Sequence, residues 1–203
     1  MIRQHRMPFG SEVLADGAVR FRLWAPAAAP VRLCLEGCED EDNLLELEPR
    51  DGGWHELVTE RAAHGSLYSY VIGDGPRVPD PASRYQPRDV HGPSQVVDPA
   101  RHDWRDGGWE GRPWNETVLY ELHAGSFTPQ GGFCGIIERL DYLKGLGVTA
   151  VELMPVADFP GRHNWGYDGV LPYAPDSCYG TPEDFKQLVE AAHARELMVF
   201  LDV

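Results

Sequence analysis

Apolar and polar side chains alternate through the first hundred residues in short runs, as in Val19-Arg20-Phe21-Arg22-Leu23 and Val31-Arg32-Leu33-Cys34-Leu35. A period of two puts successive side chains on opposite faces, so these runs predict half-buried β-strands. Leu44–Leu47, Trp54–Val58 and Leu67–Ile72 continue the series, separated by turn-formers at Asp51-Gly52-Gly53 and Gly73-Asp74-Gly75-Pro76. Helical spacing is absent there. Short strands punctuated in this way predict a β-sandwich over residues 1–100.

The pattern changes at Thr117. Val118–Leu122 is a strand candidate, and Ile136, Leu140, Leu143 and Gly147 then recur at spacings of four, three and four, as one face of a helix does. Val148–Met154 is a nearly continuous apolar run, the mark of a strand covered on both faces. Thr181-Pro182-Glu183-Asp184 supplies an N-cap, a proline at the first helical position and two acids in the first turn, ahead of Phe185, Leu188, Val189 and Ala192 on one face. Leu197–Val203 is the next buried strand. The order β-α-β-α-β over residues 117–203 predicts a parallel sheet. Three such strands fall short of a closed barrel of eight, so the expectation is the first part of an incomplete barrel with an exposed edge open to self-association. A small complete three-stranded α/β domain is the alternative. Between the two halves, residues 101–116 have no period and are rich in Gly, Pro and polar residues, which predicts a linker. Its Trp104, Trp109 and Trp114 are either sugar platforms or pins that fasten it to its neighbours.

Composition narrows the classes. The 203 residues are 42% hydrophobic and 25% charged, which is globular and excludes disorder as the reading. A formal net charge of −14, with the acids scattered, argues against nucleic-acid or anionic-membrane partners. Met1 to Arg6 lacks the apolar core of a secretory signal, and no stretch approaches the roughly 20 apolar residues of a membrane helix, so a cytoplasmic protein is expected. Cys34, Cys38, Cys134 and Cys178 form no Cys-x-x-Cys pair and no disulfide framework, which predicts free thiols and no metal.

In parallel barrels, ligands gather at the C-terminal strand ends. That singles out His123 after the first strand, the segment following Met154, and Asp202 at the third. Residues 155–180 run without periodicity, and a loop of that length in a compact domain is usually functional or mobile. Its centre, Arg162-His163-Asn164-Trp165-Gly166-Tyr167-Asp168-Gly169, combines aromatic faces with hydrogen-bonding groups, the pairing that suits the C–H faces and hydroxyl rim of a sugar. The alternative is a loop anchored into the rim by Trp165 and Tyr167. Glycoside hydrolysis needs two carboxyl groups, and Asp168 with Asp202 can be proposed as the pair, or read as hydrogen-bonding anchors.

Four segments are specific enough to indicate a family. Val151-Glu152-Leu153-Met154-Pro155-Val156-Ala157, Asn164-Trp165-Gly166-Tyr167-Asp168-Gly169-Val170, Tyr179-Gly180-Thr181-Pro182-Glu183-Asp184-Phe185 and Val199-Phe200-Leu201-Asp202-Val203 resemble, in order and spacing, the opening third of an α-amylase-superfamily barrel. Tyr120-Glu121-Leu122-His123-Ala124-Gly125-Ser126-Phe127-Thr128 resembles the first barrel strand of its trehalohydrolase and branching-enzyme groups, and Phe21-Arg22-Leu23-Trp24-Ala25-Pro26 the start of the immunoglobulin-like domain that precedes such barrels. Pro79-Asp80-Pro81-Ala82-Ser83-Arg84-Tyr85-Gln86-Pro87 and His91–Pro99 are similar to the trehalohydrolase pattern. The Gly-Asp-Phe-Asn-x-Trp-like stretch usual in branching enzymes is missing.

The resemblance implies a (β/α)8 (TIM) barrel behind an immunoglobulin-like sandwich, and a retaining hydrolase that frees trehalose from maltooligosyl-trehalose without cofactor or metal. It implies that Tyr167 stacks on the sugar just before the scissile bond, that Asp202 belongs to the hydrogen-bond network at the third strand's end, and that Pro155 is a structural proline. Trp165, Asp168 and His123 join them as the expected sugar-binding set. The family's nucleophile, acid/base and transition-state carboxyls follow its fourth, fifth and seventh strands, so no catalytic residue is expected among the 203, and the chain alone should not turn over. A glucan branching or debranching enzyme and a non-catalytic α-glucan binding module are the alternatives.

Overall fold

The computed structural model describes residues 7–27, 30–37 and 44–203. Cys38 and the stretch Met1 to Arg6 lie outside them. The described chain divides into two compact units, one of the residues up to Pro99 with Leu171–Ala174, the other of Ala100–Val170 with Pro175–Val203.

The first unit contains two antiparallel sheets. β1 (Gly10–Val13), β2 (Val19–Trp24), β5 (Glu48–Arg50) and β6 (Trp54–Thr59) form one in the order β1-β2-β6-β5. β3 (Val31–Leu35), β4 (Leu44–Glu46), β7 (Leu67–Ile72) and β8 (Arg77–Val78) form the other in the order β4-β3-β7-β8, with β9 (Ser94–Gln95) also on β7. Alternation decides the core: Val19, Phe21 and Leu23 from β2 meet Val31, Leu33 and Leu35 from β3 and Tyr68 and Tyr70 from β7 in one buried cluster. The run Leu44–Leu47 is not one strand. The chain leaves the second sheet after Glu46, buries Leu47 with its N–H on the Val31 carbonyl (2.9 Å), and enters the first sheet as β5.

The Pro79–Pro87 segment is a brace. Asp80 is fully buried and accepts the Tyr68 hydroxyl (2.7 Å) and the Ala82 N–H (2.8 Å), while its own N–H donates to Ser94 Oγ (2.9 Å). Gln86 reaches the carbonyls of Val90 (3.4 Å) and Gly92 (3.2 Å) through Nε2. Burial, partly countered by the Tyr68 hydrogen bond, raises the Asp80 carboxyl above its ordinary value.

The second unit is built on a parallel sheet, β10 (Leu119–Leu122), β11 (Ala150–Leu153) and β14 (Met198–Leu201), in the order β10-β11-β14. Between these strands come α1 (Gly132–Ile137), α2 (Leu140–Gly145) and α3 (Pro182–His193). Phe133, Ile136, Leu140, Leu143, Leu188 and Ala192 from the helices pack with Leu122, Val151 and Leu153 of the sheet, and Tyr120 and Val199 lie against the same cluster. Glu121, Glu152 and Phe200, side by side in the register, occupy the other face. This is the β-α-β-α-β opening of a barrel.

One helix predicted through Ile136, Leu140 and Leu143 is two. Arg139 (φ −106°, ψ −2°) departs from helical geometry and its N–H bonds back three residues to Ile136 O (2.9 Å), a tightened turn that keeps all three side chains on the core side. Gly147 (φ 94°) then closes α2, with its N–H on Lys144 O (3.0 Å) and the Val148 N–H on Leu143 O (3.1 Å). Residues 155–180 contain short strands β12 (Ala157–Asp158) and β13 (Leu171–Pro175), which the aperiodic sequence did not predict.

Residues 101–116, read as a linker, lie against α3. His102 Nε2 meets Glu190 Oε2 (3.0 Å), the Arg105 N–H donates to Glu190, and His193 Nδ1 meets Asp106 Oδ2 (2.6 Å). Trp109 stacks on His193 (4.7 Å, 15°), Trp104 meets His102 edge-on (4.5 Å) and Trp114 meets Phe200 edge-on (6.2 Å). Cys34, Cys134 and Cys178 are free thiols. Among the described residues no helix is long and apolar enough to cross a membrane.

The start of α3 carries a reciprocal cap: Thr181 Oγ1 accepts the Asp184 N–H (3.1 Å), Asp184 Oδ2 accepts the Thr181 N–H (2.8 Å), and Pro182 opens the first turn. Thr181→Ala is expected to cost about 1 kcal/mol of stability, read from urea midpoints by circular dichroism, with Thr181→Ser retaining most of it. An unchanged midpoint in the alanine variant would mean that packing alone holds the helix.

Candidate functional site

Register builds the site. Leu122, Leu153 and Leu201 are neighbours across the three strands, so the residues that follow, His123, Met154 and Asp202, leave the sheet at one edge. The Met154 N–H still reaches Leu122 O (3.0 Å) and the Asp202 N–H reaches Leu153 O (2.9 Å), which carries the ladder one residue beyond the strands. Glu121, His123 and Glu152 share the face opposite the helices by alternation.

Over this edge runs the segment 160–169. Tyr167 donates its hydroxyl to Asp202 Oδ2 (2.9 Å), and His123 Nε2 lies 2.7 Å from the Asn164 carbonyl and 3.3 Å from the Tyr179 hydroxyl. Asn164 is the local organiser: its side-chain oxygen accepts the Gly166 N–H (2.5 Å) and its amide donates to Asp168 Oδ2 (3.4 Å). Gly166 has φ 107°, and a Cβ there would stand 2.7 Å from the Pro155 carbonyl, so only glycine lets the segment lie this close to the strand end.

Of the expected sugar-binding residues, Tyr167 and Asp202 are joined directly, and His123, Asp168 and Trp165 are brought to the same rim. His123 and Trp165 line a cavity of about 500 Å³ with Gly125, Ser126, Met154, Arg162, His163, Asn164 and Tyr179. Trp165 is 81% exposed and Tyr167 62% exposed, so both rings present surface to solvent. Tyr179, Ser126 and Met154 carried no signal in the sequence that set them apart as site residues. Tyr179 in particular is buried between Phe133 and His123, and only its hydroxyl end reaches the rim.

The electrostatics are acidic. The hydrogen bond to the Asp202 carboxylate, then desolvation and the negative charges of Asp202, Glu121 and Glu152, raise the Tyr167 phenol above its ordinary value. Burial, followed by Asp176, pushes the Cys178 thiol up to about 12, which leaves it an unreactive thiol at neutral pH. Among the described residues no group of three or more His, Cys, Asp or Glu side chains is placed to hold a metal ion. A larger cavity of about 730 Å³ lies between residues 105–111 and α3, lined by Trp109, Glu190 and His193 among others, and it includes no strand-end residue.

Known proteins match both halves. The alpha amylase catalytic-domain model matches residues 93–203, and the carbohydrate-binding module 48 (isoamylase N-terminal domain) model matches residues 8–82. A malto-oligosyltrehalose trehalohydrolase of Saccharolobus solfataricus is 44% identical over 197 residues, 97% of this chain and 34% of that protein. A crystal structure from Salmonella typhimurium described as an alpha amylase superposes with a TM-score of 0.93 at 48% identity, covering 98% of this chain and 33% of its own. The pullulanase of Paenibacillus barengoltzii in complex with maltohexaose and alpha-cyclodextrin superposes at 0.79 with 27% identity, over 96% of this chain and 37% of its own. The chain thus spans about a third of the length of the curated relatives it matches.

Because the Asp202 carboxylate opposes formation of the phenolate, Asp202→Asn is expected to let Tyr167 ionise at lower pH. Titration of ring-labelled tyrosine by NMR reads this directly, and a Tyr167 resonance that titrates at the same or higher pH in the variant would contradict the bond.

Proposed function

This chain belongs to the α-amylase catalytic-domain family, and on that footing we propose that it supplies the sugar-facing rim of a glycoside hydrolase that releases trehalose from maltooligosyl-trehalose by cleaving an α-1,4-glucosidic bond. The observation that carries the reading is the Tyr167–Asp202 hydrogen bond at the strand ends. A phenol tied down at its oxygen keeps its ring at the strand ends, and because the ring itself is exposed its face is open to stack on the C–H face of a glucose. Asp202 and Asp168 add carboxylate oxygens to the same hydrogen-bonded rim, and His163 and Trp165 line the cavity beside it. The fit of the trehalohydrolase relative over 97% of this chain supports that substrate over others in the family.

The rim carboxyls are not the reacting pair in this reading. A retaining hydrolase needs one carboxyl free to attack and a second to give and take a proton, roughly 5 Å apart. Asp202 is engaged by Tyr167 and Asp168 by Asn164, so each holds a neighbour in place. The module-48 sandwich and a cytoplasmic setting complete the proposal, together with self-association through the outer strands β10 and β14, which sedimentation velocity would register as a concentration-dependent dimer. A mass that stays monomeric at high concentration would remove that part.

Two measurements test the function. Maltotriosyl-trehalose titrated into the 203-residue chain should bind weakly, and Tyr167→Ala should weaken it roughly two- to tenfold. No trehalose should be released above a blank. Release would mean that the rim carboxyls react after all, and equal or tighter binding of an α-1,6-branched oligosaccharide would favour a debranching role.

A further inference from the structure

His123 occupies the first strand end, where a sugar contact was expected, and all of its ring valences are already spent inside the protein. The Gly125 N–H points at Nδ1 (3.1 Å), so Nδ1 must carry a lone pair. Nε2 faces the Asn164 carbonyl at 2.7 Å, and a carbonyl can only accept, so Nε2 must carry the hydrogen. The two partners independently select one state, the neutral Nε2–H tautomer. The Tyr179 hydroxyl oxygen, 3.3 Å from the same nitrogen, takes a longer second branch of that donor and sets the ring edge-on at 5.8 Å and 88°. Gly125 makes room for this: a Cβ there would lie 2.9 Å from Tyr179 Cε1 and 3.1 Å from His123 Cε1.

What the imidazole grips is the backbone of the residue that organises the rim loop. Asn164 bonds onward to Gly166 and Asp168, which flank Tyr167, and Tyr167 bonds to Asp202. The loop is therefore tied at one end to β10 and at the other to the end of β14, the two outer strands of the sheet. We infer that His123 is a positioning residue, a latch whose Nε2–H donor holds the Asn164 carbonyl and so orients Trp165 and Tyr167, and that it makes no hydrogen bond to the sugar itself. The consequence for sugar rests on the function proposed above; the latch does not.

The test uses three variants of the whole chain without sugar. A glutamine side chain can place its amide nitrogen where Nε2 sits and donate to Asn164 O, whereas asparagine reaches only the Nδ1 position and alanine neither. Trypsin cleavage after Arg162 reads the loop's order. His123→Ala and His123→Asn should be cut about tenfold faster than the parent, as expected when opening the loop no longer breaks a hydrogen bond, and His123→Gln within about twofold of it. Long-range 1H–15N correlation of labelled histidine should show Nδ1 without a proton and Nε2 with one, the His123 signal being the one lost in the glutamine variant. A proton on Nδ1, parent-like protection in the asparagine variant, or fast cleavage of the glutamine variant would overturn the latch. If the alanine variant fails to fold, the glutamine and asparagine variants still decide. Maltotriosyl-trehalose is then titrated separately: a parent chain that shows the tautomer and the protection but binds no sugar would refute the proposed function and leave the latch standing.

Discussion

In the parallel sheet Leu122 is set beside Leu153 and Leu153 beside Leu201, and the rest of the rim follows from that alignment. Side chains alternate across a sheet, so a slip of one residue in either pairing would turn Val151 and Leu153 away from the helices and press Glu152 into the apolar cluster. Burying an unpaired carboxylate costs far more than any single contact in that cluster returns. The helices therefore fix the register from one face, and the register delivers His123, Met154 and Asp202 to one edge. Core packing on the covered side decides which groups reach solvent at the strand ends.

The loop above that edge has little regular structure, yet Asn164 and Tyr167 tie it down at several points. Ordering a backbone residue costs about 1–2 kcal/mol, and a segment with no ladder must recover this from side chains and close packing. Asn164 does so at three points, through its carbonyl, its amide oxygen and its amide nitrogen. Gly166 contributes by absence, since a side chain there would collide with Pro155. At the far end of the segment the Val170 N–H reaches Asp158 O (2.8 Å), and the Asp176 N–H reaches Val156 O (2.8 Å). The exposed rings of Trp165 and Tyr167 thus sit on a loop held from several directions, which reduces the ordering that a ligand would otherwise have to impose.

Periodicity exposed the parts of the fold where one face is wet and the other dry. Val19, Phe21 and Leu23 alternate because β2 lies over a sandwich core, and Leu188 and Ala192 recur at four because α3 covers a sheet. It was silent where geometry turns on a few residues. A sheet change at Leu47 leaves the apolar pattern intact on both sides, and a tightened turn at Arg139 preserves the spacing of Ile136, Leu140 and Leu143, so neither break was visible. The rim residues were legible as a group, because strand ends and an aromatic loop can be placed from sequence. Their division of labour was not. Whether His123 faces a sugar or a carbonyl depends on backbone atoms of Gly125 and Asn164, and backbone atoms have no letter in the sequence.

Size alone does not single out the strand ends. The larger cavity lies on α3, and its aromatic residue, Trp109, already has one face stacked on His193, whose Nδ1 meets Asp106. Those contacts fasten residues 101–116 to the helix, and a ring used in that way has less surface to give a sugar. At the rim the relation is reversed: the Tyr167 hydroxyl is the part that is spent, and the ring is the part left exposed. A stacking platform needs a restrained ring with a free face. By that criterion the exposed Tyr167 ring at the strand ends is a better candidate platform than Trp109, which is held against α3.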